Sequence, residues 1–521
     1  MSQVHSTHAS TFVHRHKAYE GSQTSPADLA AHYQTQDAFP GANAASSNSP
    51  PPCDTMVQSC GLESLLVSLR KKALRVRVTI GIFSLLLAVL MDCSHLQVFK
   101  SAWVDQRANK RDPLLVGLTT GILAVGYRED PVLLKGCLKS LRAMRYQRNL
   151  RVMLVIDGNE PKDEYMAQIF MEFFDKHGAT VFRPSFLSMD LEANDNKRED
   201  LVRQVAHHPG PVCVMQPHKG KRSAMYTGFA ALLQQGVETV VVTDSDTYLD
   251  PNACKESPMV GAATGNVKIH NKGTWISFLS SIQYWFMFNL DHGAQSYHSA
   301  VNCVSGPLGV YRMSIIRDVM DSWARQTFLG VLCIYGDDLH LTNLVLRQGY
   351  KIKYSHYASC YTDTPIKYIA WVTQQTRWSK SYFRETILLG RMHLHNPWMT
   401  YALLYKLIYS IFIYNLIKSI YFGTRSQVLW WLVSVSLVSI LKTIYAVMVT
   451  GDKMFFFTTA YGFLQMFGYA PAKIQAALTL YDNSWGTSAR LVRNFTKLQN
   501  HVAPVCWGVF LIFGVIHNPI R

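Results

Sequence analysis

The chain has 521 residues, of which 48% are hydrophobic, 12% aromatic and only 17% charged, against about 25% charged in an ordinary globular protein. That is too long for one soluble domain of ~100 to 200 residues, and the apolar composition excludes a small binding module, a disordered protein and a fibrous repeat. The net charge of +16 does not point to nucleic acid, because Lys and Arg cluster beside apolar runs, where they face anionic lipid or mark a cytosolic side.

Residues 1–69 are rich in Ser, Pro and His and show no apolar periodicity, as expected of a disordered tail without a cleaved signal peptide. Residues 70–112 combine a basic flank (Arg70, Lys71, Lys72, Arg75 and Arg77) with the apolar run Val78 to Met91. That run is short for a spanning helix, which needs ~20 residues, so it is a marginal membrane segment. Ten cysteines without a C-x-x-C pair suggest free thiols of a reducing compartment, with no zinc site and no disulfide scaffold.

Residues 113–364 change texture. Ile122 to Val125, Val152 to Ile156, Val212 to Met215 and Thr239 to Thr243 are short, continuous apolar runs separated by helical patterns. Strands buried on both faces of a parallel sheet have this pattern. The region is therefore expected to be a soluble α/β domain with its function at the carboxyl ends of the strands.

Three of those ends carry polar groups: Tyr127-Arg128-Glu129-Asp130, Asp157-Gly158-Asn159, and Thr243-Asp244-Ser245-Asp246. Carboxylates at i and i+2 after a strand can share one hard cation such as Mg²⁺ or Mn²⁺, with Asp246 the better placed direct ligand. A lone D-x-D is more often a solvated turn, but three such ends together favour a nucleotide crevice. Further on, Tyr335-Gly336-Asp337-Asp338 offers a carboxylate to take a proton from an attacking hydroxyl, or simply a helix start before Leu339 to Leu346.

Residues 365–398 mix Tyr, Trp, Lys and Arg as helices lying in a membrane interface do. They contain Gln374-Gln375-Thr376-Arg377-Trp378. Trp gives a flat face for a sugar ring, Arg a fork for phosphate oxygens and Gln neutral partners for hydroxyls. Residues 399–521 carry apolar runs at Met399 to Phe422, Val428 to Val449, Met454 to Ala470 and Val502 to Ile516. With the α/β domain cytosolic, the first two runs cross and return. Arg490, Arg493 and Lys497 then keep the third from crossing, so it reads as interfacial or re-entrant, and the sequon Asn494-Phe495-Thr496 as silent.

These motifs resemble the membrane-embedded processive family 2 glycosyltransferases, and within them the hyaluronan synthases. Asp157-Gly158-Asn159, Gln216 to Phe229, Asp244-Ser245-Asp246, Trp275 to Ser280, Cys303 to Gly309, Gly336-Asp337-Asp338, Gln374 to Glu385, Pro471-Ala472-Lys473 and Trp485 to Ser488 carry the likeness. The resemblance implies a glycosyltransferase-A-like cytosolic domain joined to amphipathic interface helices and an α-helical transmembrane region. It implies that Asp157 and the Tyr127 to Glu129 segment receive the uridine, and that Asp244 and Asp246 hold the Mg²⁺ or Mn²⁺ and the diphosphate. Lys221 and Arg222 would neutralise phosphates, Asp337 would line the site and Asp338 would be the general base. Gln374, Gln375 and Arg377 would meet substrate groups, Trp378 would floor the acceptor sugar, and a loop bearing Trp485 and Thr487 would reach the nucleotide.

The implied partners are UDP-N-acetylglucosamine, UDP-glucuronate, a polysaccharide acceptor and the lipid bilayer of the plasma membrane. Homo- or hetero-oligomers with other synthases are compatible with it. The chain departs from the family pattern in a shorter segment between Pro251 and Pro258, in Asn266 where an acidic residue is usual, and in Leu339 where a basic one is. It also has fewer apolar runs at its ends, which an interfacial first helix or an incomplete gene product would explain. A chitin- or cellulose-type synthase using one UDP-sugar, or a weakly active homologue paired with an active synthase, are the competing readings.

Overall fold

The computed structural model describes residues 118–145, 150–185, 195–251, 253, 260–388, 397–482 and 499–518. The N-terminal tail, the first apolar run, most of the shortened segment, the Trp485–Ser488 loop with Thr487, and the sequon lie outside the described residues.

The four expected strands form as β1 (Thr120–Gly126), β2 (Leu150–Ile156), β4 (Val212–Met215) and β5 (Thr239–Asp244), with the short β3 (Thr180–Phe182) at one edge. They pair in parallel, β1 lying between β2 and β5 and β4 between β2 and β3. Ile122, Leu123, Leu154, Val155, Val214 and Val240 are fully buried. Helices α1 (Pro131–Arg142), α2 (Glu164–Phe174), α3 (Asp195–His207) and α4 (Lys221–Gln234) connect the strands, which explains runs without polar alternation.

The sheet is nine-stranded and mixed rather than purely parallel. Beyond β5 come β8 (Gly309–Arg312), β7 (Ala262–Ile269), β11 (Ile352–Thr362) and β6 (Tyr248–Leu249). Strand β8 runs antiparallel to both β5 and β7, which brings Gly306 against the end of β5. A Cβ at Gly306 would stand 3.0 Å from Lys221 Nζ and 3.4 Å from Asp244 Oδ2. A side chain there would crowd both groups.

Helix α5 (Trp275–Phe286), with Thr274 and Ser277 forming a reciprocal N-cap, continues through a π-helical turn at Met287–His292 into α6 (Gly293–Tyr297). Helix α7 (Met313–Ala324) follows β8, and a two-stranded ribbon, β9 (Thr327–Phe328) with β10 (Val331–Leu332), leads to α8 (Asp337–Arg347). Gly336 caps α8 in the left-handed conformation, with φ of 80°. Asp337 and Asp338 thus open the helix, where the positive end of its dipole favours carboxylates.

Helix α9 (Tyr368–Leu388) forms over the segment expected to lie along a membrane surface. Its Trp371, Val372, Gln375, Thr376, Ser379, Lys380, Arg384 and Glu385 are buried within the protein. One end packs Trp371 and Val372 against Ala472, and Tyr368 donates to the Gly468 carbonyl at 3.0 Å. Helices α10 (Pro397–Phe422) and α11 (Arg425–Thr450) match the first two apolar runs of the C-terminal third. Among the described residues, α11 alone is long and apolar enough to cross a bilayer, with shorter apolar helices at Ser410–Phe422 and His501–His517. The Met454 to Ala470 run is broken, as its glycines suggest. A 3₁₀ stretch Lys453–Phe457, α12 (Thr458–Phe463) and a π-helical turn Leu464–Gly468 precede α13 (Ala470–Leu478) and α14 (Gln499–His517).

Candidate active site

Strand ends β1, β2 and β5 converge on one crevice. Asp157 is almost fully buried, and its carboxylate accepts the Lys219 N–H at 2.9 Å and the Gly220 N–H at 2.8 Å. His218 Nδ1 lies 2.8 Å from Asp157 Oδ2, and the imidazole stacks on Tyr127 at 4.1 Å and 13°. The Arg128 guanidinium sits 4.7 Å from the Tyr127 ring centre and pairs with Asp163 at 2.8 Å. Gly158 allows Asp163 close, since a Cβ there would meet its carboxylate at 2.6 Å. Glu129 reaches across to β5 and accepts the Ser245 hydroxyl at 3.3 Å. Asp130 instead caps α1, accepting the Val132 N–H at 2.8 Å.

At the end of β5, Lys221 Nζ bonds Asp244 Oδ1 at 2.5 Å and lies 3.7 Å from Asp337 Oδ2. Burial alone would lower the Lys221 pKa, but the charges of Asp244 and Asp337 outweigh it and hold the ammonium firmly protonated. Asp338, next along, has its carboxyl pushed up to about 6 by burial and by the Asp337 charge, with Lys221, the Leu339 N–H and Arg377 pulling the other way. Thr247 turns back to the Asp244 carbonyl at 3.1 Å, and its hydroxyl donates to Asp246 Oδ1 at 3.2 Å.

Arg222 does not join Lys221, contrary to its expected phosphate role. It turns into the core, nearly unexposed, and donates to the Trp323 carbonyl at 2.7 Å and to Gln326 Oε1 at 2.8 Å. Adjacent residues at a helix start point in different directions, so a Lys-Arg pair delivers one cation to the crevice and one to the interior.

Helix α9 closes the other side. Arg377 is close enough to Asp338 to favour its ionised form. Trp378 is partly buried with Tyr284 at 6.0 Å and 57°. Tyr284 is in turn within electrostatic range of Asp246 and Arg377. Gln375 is buried and accepts from Gln283 Nε2 at 3.2 Å, with Gln374 beside it at 3.5 Å.

One buried network escaped the residue-by-residue reading. Glu385 on α9 accepts His340 Nδ1 at 2.9 Å and Asn343 Nδ2 at 2.8 Å from α8, and also takes Gln326 Nε2. Burial would raise the Glu385 pKa, yet these donors hold it below the usual range. The network ties the Gln375–Trp378 helix to the Asp337–Asp338 helix. Its sequence signal was position alone, since Glu385 closes the QQTRWSKSYFRE match.

A model of glycosyltransferase-like family 2 matches residues 187–381. Hyaluronan synthase 3 of Xenopus laevis is 40% identical over 77% of this chain and 74% of its own length. This chain belongs to the hyaluronan synthases. Hyaluronan synthase 2 of Mus musculus is 38% identical over 80% of this chain and 78% of its own, and hyaluronan synthase 3 of Homo sapiens is 40% identical over 77% and 75%. The chain is also loosely similar to a solved mannosyltransferase of Pyrobaculum calidifontis in complex with GDP-Man and Mn²⁺, 14% identical over 77% of this chain and 100% of that one at a TM-score of 0.39. As a synthase of this family, the chain is a glycosyltransferase, with Asp244, Asp246, Asp338, Arg377 and Trp378 gathered around one crevice.

Proposed function

We propose that the crevice transfers N-acetylglucosamine and glucuronate alternately from UDP-sugars to a growing polysaccharide, which passes outward through the membrane region. The observation that carries the assignment of roles is the placing of Asp338. Its raised carboxyl lies beside the Lys221–Asp337 charge pair, within the field of Arg377, and Trp378 follows Arg377 on the same helix. In a displacement, the acceptor oxygen forms its bond to the anomeric carbon as the bond to the diphosphate breaks. The acceptor proton passes to Asp338, and the departing charge spreads toward Lys221 and Arg377. No covalent nucleophile is needed, so the anomeric configuration inverts.

Asp244 and Asp246 present oxygen donors suited to Mg²⁺ or Mn²⁺. A cation held by these two carboxylates would complete its shell with water and diphosphate. That cation would supply charge to the leaving diphosphate. Lys221 also pairs with Asp244.

The polymer is too polar to cross hydrocarbon unaided, which accounts for a helical membrane region joined to the catalytic domain. A multi-pass arrangement in the plasma membrane, with the crevice cytosolic, belongs to the same proposal. The test is expression in cells lacking the polymer. UDP release in purified membranes should require both donors, and a hyaluronan-specific lyase should digest the product. Release with one donor alone and a lyase-resistant product would make it a chitin- or cellulose-type synthase.

A further inference from the structure

The loop between β4 and α4 places His218 over the two groups read above as the uridine site. Its imidazole lies flat on Tyr127, at 4.1 Å and 13°. Its Nδ1 lies 2.8 Å from Asp157 Oδ2 and 3.0 Å from the Asp157 carbonyl. The uracil of a nucleotide likewise has a flat ring and a single ring N–H, at N3 between its two carbonyls. The side chain is about half exposed, whereas the Asp157 side chain beneath it is 3% exposed. A base cannot reach that carboxylate or that face of Tyr127 while the imidazole is there.

We propose that His218 is a built-in occupant of the nucleoside-base pocket, which uridine must displace. The proposal rests on the assignment of Tyr127 and Asp157 to the base. It makes His218 a determinant of nucleotide affinity: binding exchanges one stacked ring and one N–H to Asp157 for another of each, so only the surplus is gained. The displaced imidazole is on a loop whose backbone stays tied to Asp157 through the Lys219 and Gly220 N–H groups. The ring can therefore swing without dismantling the phosphate-facing start of α4.

The exchange depends on pH. The charged groups around the ring are Asp157 and Arg128, with Glu160 near and Lys162 and Asp163 behind it. The bond to Asp157 raises the His218 pKa above that of a free imidazole, against the opposing effects of burial and Arg128. The imidazolium grips the carboxylate more strongly than the neutral ring does, so the occupant is harder to displace as pH falls.

The test is calorimetric titration of the full-length detergent-solubilised protein with UDP in the presence of Mg²⁺, at pH 8 and pH 6. His218→Ala should bind UDP about three- to tenfold more tightly than the unsubstituted protein, the worth of one stacked ring with a half-exposed ion pair. That advantage should grow at the lower pH, and comparison between proteins cancels UDP's own titration. His218→Gln, which keeps an N–H but loses the ring, should fall between them and serves if the alanine variant folds poorly. Equal or weaker binding by both variants overturns the proposal. Tyr127→Ala and Asp157→Asn separate the two levels of argument: unchanged UDP binding in both would overturn the base-site assignment itself, whereas weakened binding there leaves the His218 result to decide on its own.

Discussion

Asp338 carries a carboxyl that its surroundings keep protonated until about pH 6, because burial and the neighbouring Asp337 charge both oppose ionisation. A general base works only when deprotonated, so transfer should fall as pH drops through about 6, and the limb should be visible in kcat/KM for the UDP-sugars, which reports the free protein. A profile flat down to pH 5 would remove Asp338 from the role. Asp338→Asn should lower transfer by a factor on the order of 10² to 10⁴ while leaving UDP-sugar binding near normal. Asp246→Asn should lose transfer and metal-dependent UDP binding together, since it removes one of two charged ligands from a cation otherwise held by water and diphosphate. Equal loss of binding in both variants would contradict the division of labour. Trp378→Ala should cost elongation about 1 to 3 kcal/mol, the worth of an aromatic platform under a ring, and normal polymer rate and length would exclude it.

Among the elements, α9 does more than present one motif. Trp371 and Val372 pack on the C-terminal helices, while Glu385 gathers His340, Asn343 and Gln326 from the catalytic domain. Arg384 adds a second tie, donating to the Leu480 carbonyl at 2.9 Å through Nε and to that of Asp482 at 3.0 Å. The helix is thereby fixed at both of its ends. Glu385→Gln replaces a charged acceptor with an amide that cannot serve all its donors, a loss of about 1 to 3 kcal/mol for the group left unpartnered. Thermal unfolding should show that loss. Because α8 carries Asp338, kcat should also fall while the KM for UDP-sugars changes little; a variant with unchanged kcat and melting point would mean that the network does not position the base.

At the scale of the whole molecule, the proposed topology follows the charge beside each apolar run. The Met454 to Ala470 run is built of short helical pieces up to Gly468, and we propose that it does not cross. The positive cluster Arg490, Arg493 and Lys497 should therefore stay cytosolic. The sequon at Asn494 should carry no glycan. A glycosidase-sensitive mass shift in the expressed protein that disappears in Asn494→Gln would put this stretch outside and overturn the arrangement.

The sequence by itself determined the strand core, the crevice carboxylates and the family, because these reside in local patterns. Continuous apolar runs such as Val152 to Ile156 suit strands covered on both faces, and acidic residues directly after such strands emerge at their ends. The motifs from Asp157 to Trp378 are short enough to be read without knowing what they touch. Tertiary structure alone decided what those residues face. Arg222 follows Lys221 in sequence yet points to Trp323 and Gln326, since a helix start rotates successive side chains apart. The antiparallel insertion of β8 beside β5, the burial of α9 and the stacking of His218 on Tyr127 join residues far apart in the chain. Such long-range partners leave no periodicity to read, because they are chosen by packing rather than by neighbours in sequence.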